Sequence, residues 1–139
     1  MIEWQDKIWG RTREIIATEY YSKHELLLSA GGYCSLHYHR HRANKFTLLA
    51  GKVEIVEFYG PSHSITTLTP GMIYCVPSCV AHMFIVYKDG EMIEEYYSDR
   101  GGIVDNSDII RLSEGGFEAI NLLSGILTKT IEQLTCSKT

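Results

Sequence analysis

The pair His37-Tyr38-His39, bracketed by Gly31 and Gly51, restricts the fold of this chain more than any other stretch. Histidines at i and i+2 on a strand project from the same side of a sheet. A third histidine, His82, follows Gly71 and Pro77. It can reach the first two when the sheet curls into a barrel. A single strand histidine is most often a satisfied core residue, but three imidazoles converging inside a small barrel make a transition-metal site.

The surrounding sequence favours such a barrel. Glu14-Ile15-Ile16-Ala17-Thr18, Leu26-Leu27-Leu28, Phe46-Thr47-Leu48-Leu49, Val53-Glu54-Ile55-Val56 and Met83-Phe84-Ile85-Val86-Tyr87 read as strands. Turns are predicted at Gly31-Gly32, Ala50-Gly51-Lys52, Tyr59-Gly60-Pro61, Pro70-Gly71 and Asp89-Gly90. Pro70-Gly71 is read as a tight reversal just before the strand that carries His82. Many short strands at regular spacing indicate a sandwich or barrel. Only the end of the chain departs from this pattern. From Phe117 onward, Ile120, Leu123, Leu127, Ile131 and Leu134 fall near helical spacing, with Ser113 and Gly115-Gly116 as an entry. Residues 1–115 are therefore expected to form a β domain. Residues 116–139 are expected to form a C-terminal α-helix packed on the barrel or on a partner subunit.

Charge and composition exclude several classes of function. The 139 residues suffice for one domain with a core that needs no disulfide staples. The net charge is −4 and no run of basic residues occurs, so a nucleic-acid surface is not expected. No apolar stretch approaches the ~20 residues that a membrane helix needs. The polar, acidic opening Met1-Ile2-Glu3-Trp4-Gln5-Asp6 lacks the features of a secretory leader, and Cys34, Cys75, Cys79 and Cys136 suit reduced thiols. The expected location is the cytoplasm. Exposed sheet edges in a small barrel are commonly covered by a second chain, which predicts a homodimer.

The two segments carry more than the histidines. They read Gly31-x5-His37-x-His39-x4-Asn44-x6-Gly51 and Gly71-x5-Pro77-x-Cys79-x2-His82-x3-Val86. Both resemble the paired motifs of the cupin superfamily. Asn44 stands where a glutamate is usual, Cys79 where a glycine is usual and Val86 where an asparagine is usual. The stretch Ser35-Leu36-His37-Tyr38-His39-Arg40-His41-Arg42-Ala43-Asn44 is similar to the Ser-Leu-Gln-x-His-His-His-Arg-Ala-Glu segment of type II mannose-6-phosphate isomerases. Trp9-Gly10, Ile73-Tyr74-Cys75-Val76-Pro77 and Asp108-Ile109-Ile110-Arg111 resemble further segments of that family. The resemblance implies an all-β double-stranded β-helix, the cupin jelly-roll barrel. It implies metal ligands at His37, His39, Asn44 and His82, and a link between Arg42 and sugar-phosphate isomerisation. Departures from the family are His37 for its glutamine, Asn44 for its glutamate and Lys45-Phe46 for its His-Trp.

The donors themselves narrow the chemistry. Three neutral imidazoles and one amide oxygen leave a divalent ion its full charge, which favours an anionic ligand such as a carboxylate or enediolate. They also favour a transition metal (zinc, iron, nickel, manganese or copper) over magnesium or calcium. The expected partner is a small sugar-like or anionic molecule. With no carboxylate at position 44, His41 is the nearby candidate for a catalytic base and Arg42 for holding a phosphate. Two other readings use the same atoms: a non-catalytic pocket for a sugar or small acid, and a three-histidine iron dioxygenase. Asn44 is either a weak fourth donor or a hydrogen-bonding support for a ligand histidine. Tyr33, Tyr38, Tyr74 and Tyr87 are candidates for lining a pocket. His24 and His63 read as surface residues, and Asp108 with Arg111 as a structural ion pair at the barrel rim.

Overall fold

The computed structural model describes residues 3–116. Nine strands follow in chain order: β1 (Gln5–Lys7), β2 (Gly10–Ala17), β3 (Tyr21–Leu28), β4 (Leu36–Tyr38), β5 (Ala43–Tyr59), β6 (Ser62–Leu68), β7 (Ile73–Val76), β8 (Ala81–Tyr97) and β9 (Ile110–Ser113). They belong to one curled, antiparallel sheet.

Two long strands organise it. β5 and β8 pair along nearly their full lengths, from Ala43 opposite Tyr97 to Phe58 opposite Ala81. The register shifts near Leu48, Ala50 and Lys52, where both strands turn a corner together. Breaks were expected at Ala50-Gly51-Lys52 and Asp89-Gly90, yet strand pairing runs through both. The reason is steric. Gly51 sits at φ +94°, and a Cβ on Gly90 would lie 1.9 Å from the Ala50 carbonyl oxygen. Glycine lets the two backbones touch, so the ribbon bends without losing its ladder.

The corner divides the sheet into two facing layers. The first half of β5 and the second half of β8 join β7 on one side and β3, β2 and β1 on the other. The remaining halves join β6, β4 and β9. Phe46, Leu48, Met92, Leu26 and Leu28 from the first layer are buried with Val53, Ile55, Phe84 and Val86 from the second. Each contributes roughly 1.5–3 kcal/mol of hydrophobic stabilisation. Phe84 makes edge contacts with Trp9 at 5.0 Å and Phe46 at 6.3 Å between ring centroids.

Two local expectations change. Pro70-Gly71 leads into β7 rather than into the histidine strand. The reversal before β8 is made by Pro77-Ser78-Cys79-Val80, where the Cys79 N–H donates to the His39 carbonyl at 2.6 Å. Cys79 holds φ +66°, a left-handed conformation that glycine adopts without strain. Cys79→Gly is expected to stabilise the fold by about 0.5–1 kcal/mol, read as a higher urea midpoint at unchanged slope. An unchanged or lower midpoint would show that the cysteine is not strained there. At the other end, Gly116 pairs with Tyr33 in an isolated bridge, and the helix expected beyond it lies outside the described residues. Among the described residues, no helix is long and apolar enough to cross a membrane.

Candidate metal centre and its cavity

Strand pairing alone assembles the centre. His37 of β4 lies directly opposite His82 of β8, and on its other side opposite Arg111 of β9. His82 in turn lies opposite Glu57 of β5. Direct cross-strand partners share a face. Arg111, His37, His82 and Glu57 therefore form one row across four strands. His39 enters from the end of β4. The ring centroids of His37 lie 4.9 Å from His39 and 4.5 Å from His82, and those of His39 and His82 lie 5.4 Å apart.

Each ring is held by its Nδ1. His37 donates to the Ser35 carbonyl at 2.7 Å, His39 to the Asp108 carbonyl at 2.7 Å and His82 to the Val80 carbonyl at 2.9 Å. A carbonyl only accepts, so each Nδ1 carries the proton and each Nε2 keeps a lone pair. All three Nε2 atoms are buried without a hydrogen-bond partner among the described residues. One ligand atom from each of the three histidines lies within 4.8 Å of the others. Three orphaned, converging lone pairs, each with its tautomer set by a carbonyl behind it, fit a divalent transition ion.

Electrostatics keep the rings neutral. Burial, followed by the neighbouring His82 and Arg42, lowers His39 to about 3. Burial and then Arg42 bring His82 down to about 4. Burial, His82 and His39 drive His37 well below its ordinary value.

The remaining candidates separate. Arg42 is buried at 3% exposure, its guanidinium stacked 3.7 Å over the Tyr96 ring and bonded to Asn106 Oδ1 at 3.1 Å. Its Nε lies 3.3 Å from His39 Nδ1, which is already a donor. Asn44 is fully buried, with Nδ2 donating to Glu94 Oε2 at 2.8 Å and Oδ1 unpartnered. His41 is exposed and lines an outer groove with Arg40, Gly102, Ile103 and Asp105, apart from the three histidines. The parity that carries His37 and His39 inward ends with β4, and His41 falls in the turn after it.

A cavity of about 360 Å³ opens beside His37, lined among others by Trp9, His24, Arg42, Glu94, Tyr96 and Arg111. Several of these residues depart from the sequence-based expectation. His24 is half-buried and borders the cavity, and burial lowers its pKa against the pull of Glu14. Asp108 and Arg111 make no ion pair. The Asp108 carboxylate instead accepts the Arg40 and His41 N–H groups at 2.9 and 2.8 Å, and Arg111 faces the cavity. Of the four tyrosines considered, Tyr33 is buried in the core and Tyr38, Tyr74 and Tyr87 pack against it, whereas Tyr96 lines the cavity. Glu94 brings a carboxyl group whose pKa burial raises, with Tyr96, Arg42 and Asn44 opposing. Glu57 accepts hydrogen bonds from Tyr59 at 2.7 Å and from Tyr74. Period-two alternation was the available signal. Met92, Glu94 and Tyr96 share one face of β8, and Ser22, His24 and Leu26 share one face of β3.

No protein-family model and no curated protein matches the sequence. Solved structures do match. Two variants of Bacillus subtilis oxalate decarboxylase superpose with TM-scores of 0.69 at 15% and 16% identity, and the same enzyme at pH 4.6 gives 0.68 at 15%. The chain has the cupin fold. Each match covers 80% of this chain and 30% of the decarboxylase chain. The chain thus spans under a third of the length of those matches, and at such identity the likeness is one of fold. The Bacillus subtilis enzyme contains Mn(II) centres.

Proposed function

We propose that this cupin chain binds a divalent transition-metal ion through His37, His39 and His82, and that the loaded centre takes a small anionic, sugar-sized molecule in the cavity beside His37. The supporting observation is Arg42. It is buried next to the three histidines, and no carboxylate among the described residues lies within salt-bridge distance of its guanidinium. A buried cation is costly, and here it meets the Tyr96 ring, Asn106 Oδ1 and the field of the Glu94 carboxyl rather than a direct ion pair. Three neutral imidazoles do nothing to offset it, and a bound divalent ion adds to it. Lys7 and Arg111 line the same cavity. An anion entering there would meet positive charge on several sides. Among the candidate ions, manganese gains support from the Mn(II) centres of the structurally similar decarboxylase.

The test is binding. The chain is stripped with a chelator, reloaded with zinc, ferrous, nickel, manganese or cupric ions, and titrated with oxalate, inorganic phosphate and mannose 6-phosphate. Saturable binding of at least one anion by the loaded form, lost in the stripped form and in His37→Ala, is the expected result. Binding that ignores the metal, or no binding at all, would overturn the proposal.

For turnover, sugar-phosphate isomerisation is the reaction proposed. A bound ion would supply Lewis acidity toward a carbonyl oxygen. Arg111 and Lys7 would hold the phosphate. Glu94 is the one acidic side chain among the described residues lining the cavity, and it would carry the proton between adjacent carbons. Incubation with mannose 6-phosphate and fructose 6-phosphate tests this reading. No interconversion with any of the ions would leave a non-catalytic binding cupin. We further propose a homodimer, for which light scattering after size exclusion should give twice the chain mass.

A further inference from the structure

The Asn44 side chain is an amide where a carboxylate is usual in cupin motifs, and its surroundings decide what it can offer. The amide has two ends of opposite character: Nδ2 only donates and Oδ1 only accepts. Glu94 Oε2 lies 2.8 Å from the Asn44 nitrogen. The two residues are diagonal neighbours, since Phe46 pairs with Glu94 and Asn44 with Tyr96 in the β5–β8 ladder. With the carboxyl group taking the nitrogen, Oδ1 points the other way. There it is buried and meets no donor among the described residues. Left so, it carries the desolvation cost of an unsatisfied acceptor, roughly 1–3 kcal/mol. The third member of the cluster, Tyr96, sets its ring edge against His39 at 5.3 Å. Asn44 lies directly opposite Tyr96 and so shares its face of the sheet, which carries the orphaned oxygen to the side where Tyr96 meets His39.

We propose that Glu94 is a positioning residue that fixes the amide orientation of Asn44, so that Asn44 Oδ1 serves as a fourth, neutral donor to the ion held by His37, His39 and His82. Without the Glu94 acceptor the amide is free to flip. It would then present N–H protons to the ion and lose a ligand. The carboxylate missing from position 44 has thus a counterpart one strand over, where it acts through the amide instead of touching the ion. Glu94 would thereby set ligand number without changing the charge at the centre.

This inference rests on the three histidines holding an ion, and the experiment separates the two. Cobalt(II) affinity by competition with a chelator and the cobalt d–d absorption spectrum are measured for wild type, Glu94→Ala, Glu94→Met, Glu94→Gln, Asn44→Ala and the Asn44→Ala/Glu94→Ala double variant. Outer-shell partners of metal ligands typically tune affinity about 10–100-fold. Glu94→Ala and Glu94→Met should each weaken cobalt binding about tenfold and shift the spectrum toward that of Asn44→Ala. Glu94→Gln keeps an acceptor oxygen and should stay within about threefold of wild type. In the Asn44→Ala background, Glu94→Ala should cost nothing further, because the two act as one unit. Should Glu94→Ala fail to fold, Glu94→Met and Glu94→Gln still decide the matter. Wild-type spectrum and affinity in the acceptor-less variants, or a full Glu94 effect without Asn44, would overturn the proposal. A wild-type chain that binds no cobalt would instead sink the metal site itself.

Discussion

His82→Ala is expected to abolish saturable metal binding, with an affinity loss exceeding the roughly 100-fold upper range seen for outer-shell substitutions. His82 faces His37 directly across the β4–β8 bridge and supplies one of three converging Nε2 atoms. Two remaining imidazoles, even with the Asn44 oxygen, leave the ion without its third nitrogen donor. The stabilisation that comes with binding should vanish too. An ion at a hundred times its Kd adds about 2.7 kcal/mol to a wild-type fold and nothing to a variant that does not bind. The fold itself should survive, because β8 keeps its pairing with β5 and β3 whatever the side chain at position 82. Isothermal titration with zinc and thermal melts with and without zinc measure both effects. His41→Ala is the matched control. Its ring borders the outer groove, so its affinity and metal-dependent melting shift should equal those of wild type. Wild-type affinity in His82→Ala would remove the basis of the metal centre.

Acidification should destabilise the metal-free chain sharply. His39 and His82 are lowered from 6.5 to about 3 and about 4, and His37 well below 6.5, with burial the largest cause for all three. The unfolded chain therefore binds more protons than the folded one between the folded values and 6.5. Stability is fully present above about pH 6.5 and is lost as the pH falls toward the folded values. The lowering of His82 alone corresponds to about 3 kcal/mol. Asp108 adds to the loss at the acid end. Burial pulls its pKa up, but the Arg40 and His41 N–H bonds, with His39 and Arg42, outweigh it and hold the group below the usual range. Glu94 works the other way, because its raised pKa makes the protonated form the one the fold favours. One carboxyl group does not offset three buried imidazoles. Urea unfolding of the stripped protein at pH 7 and pH 5 should show a drop of several kcal/mol. Equal or greater stability at pH 5 would mean that the rings are not buried neutral in solution.

The sequence alone specified the barrel class and the three histidines. Both rest on local periodicity: i, i+2 spacing puts His37 and His39 on one face, and strand-like runs between turns define a sheet protein. It also marked position 79 as one where glycine is usual, and the positive φ of Cys79 gives the physical meaning of that pattern. Tertiary structure decided the rest. Ala50-Gly51-Lys52 and Asp89-Gly90 look like chain reversals in isolation. They become a shared corner only because each glycine faces the other strand's backbone. Glu94 and Tyr96 sit among other glutamates and tyrosines, and nothing local sets them apart from a solvated edge. Their neighbours Asn44 and His24 come from β5 and β3, brought alongside by pairing across distant parts of the chain. The same holds for Arg42, whose burial over Tyr96 no neighbouring residue announces. Strand parity is written in the order of the residues. Which charges end up sharing a dry cavity depends on register between strands, and register is a property of the folded sheet.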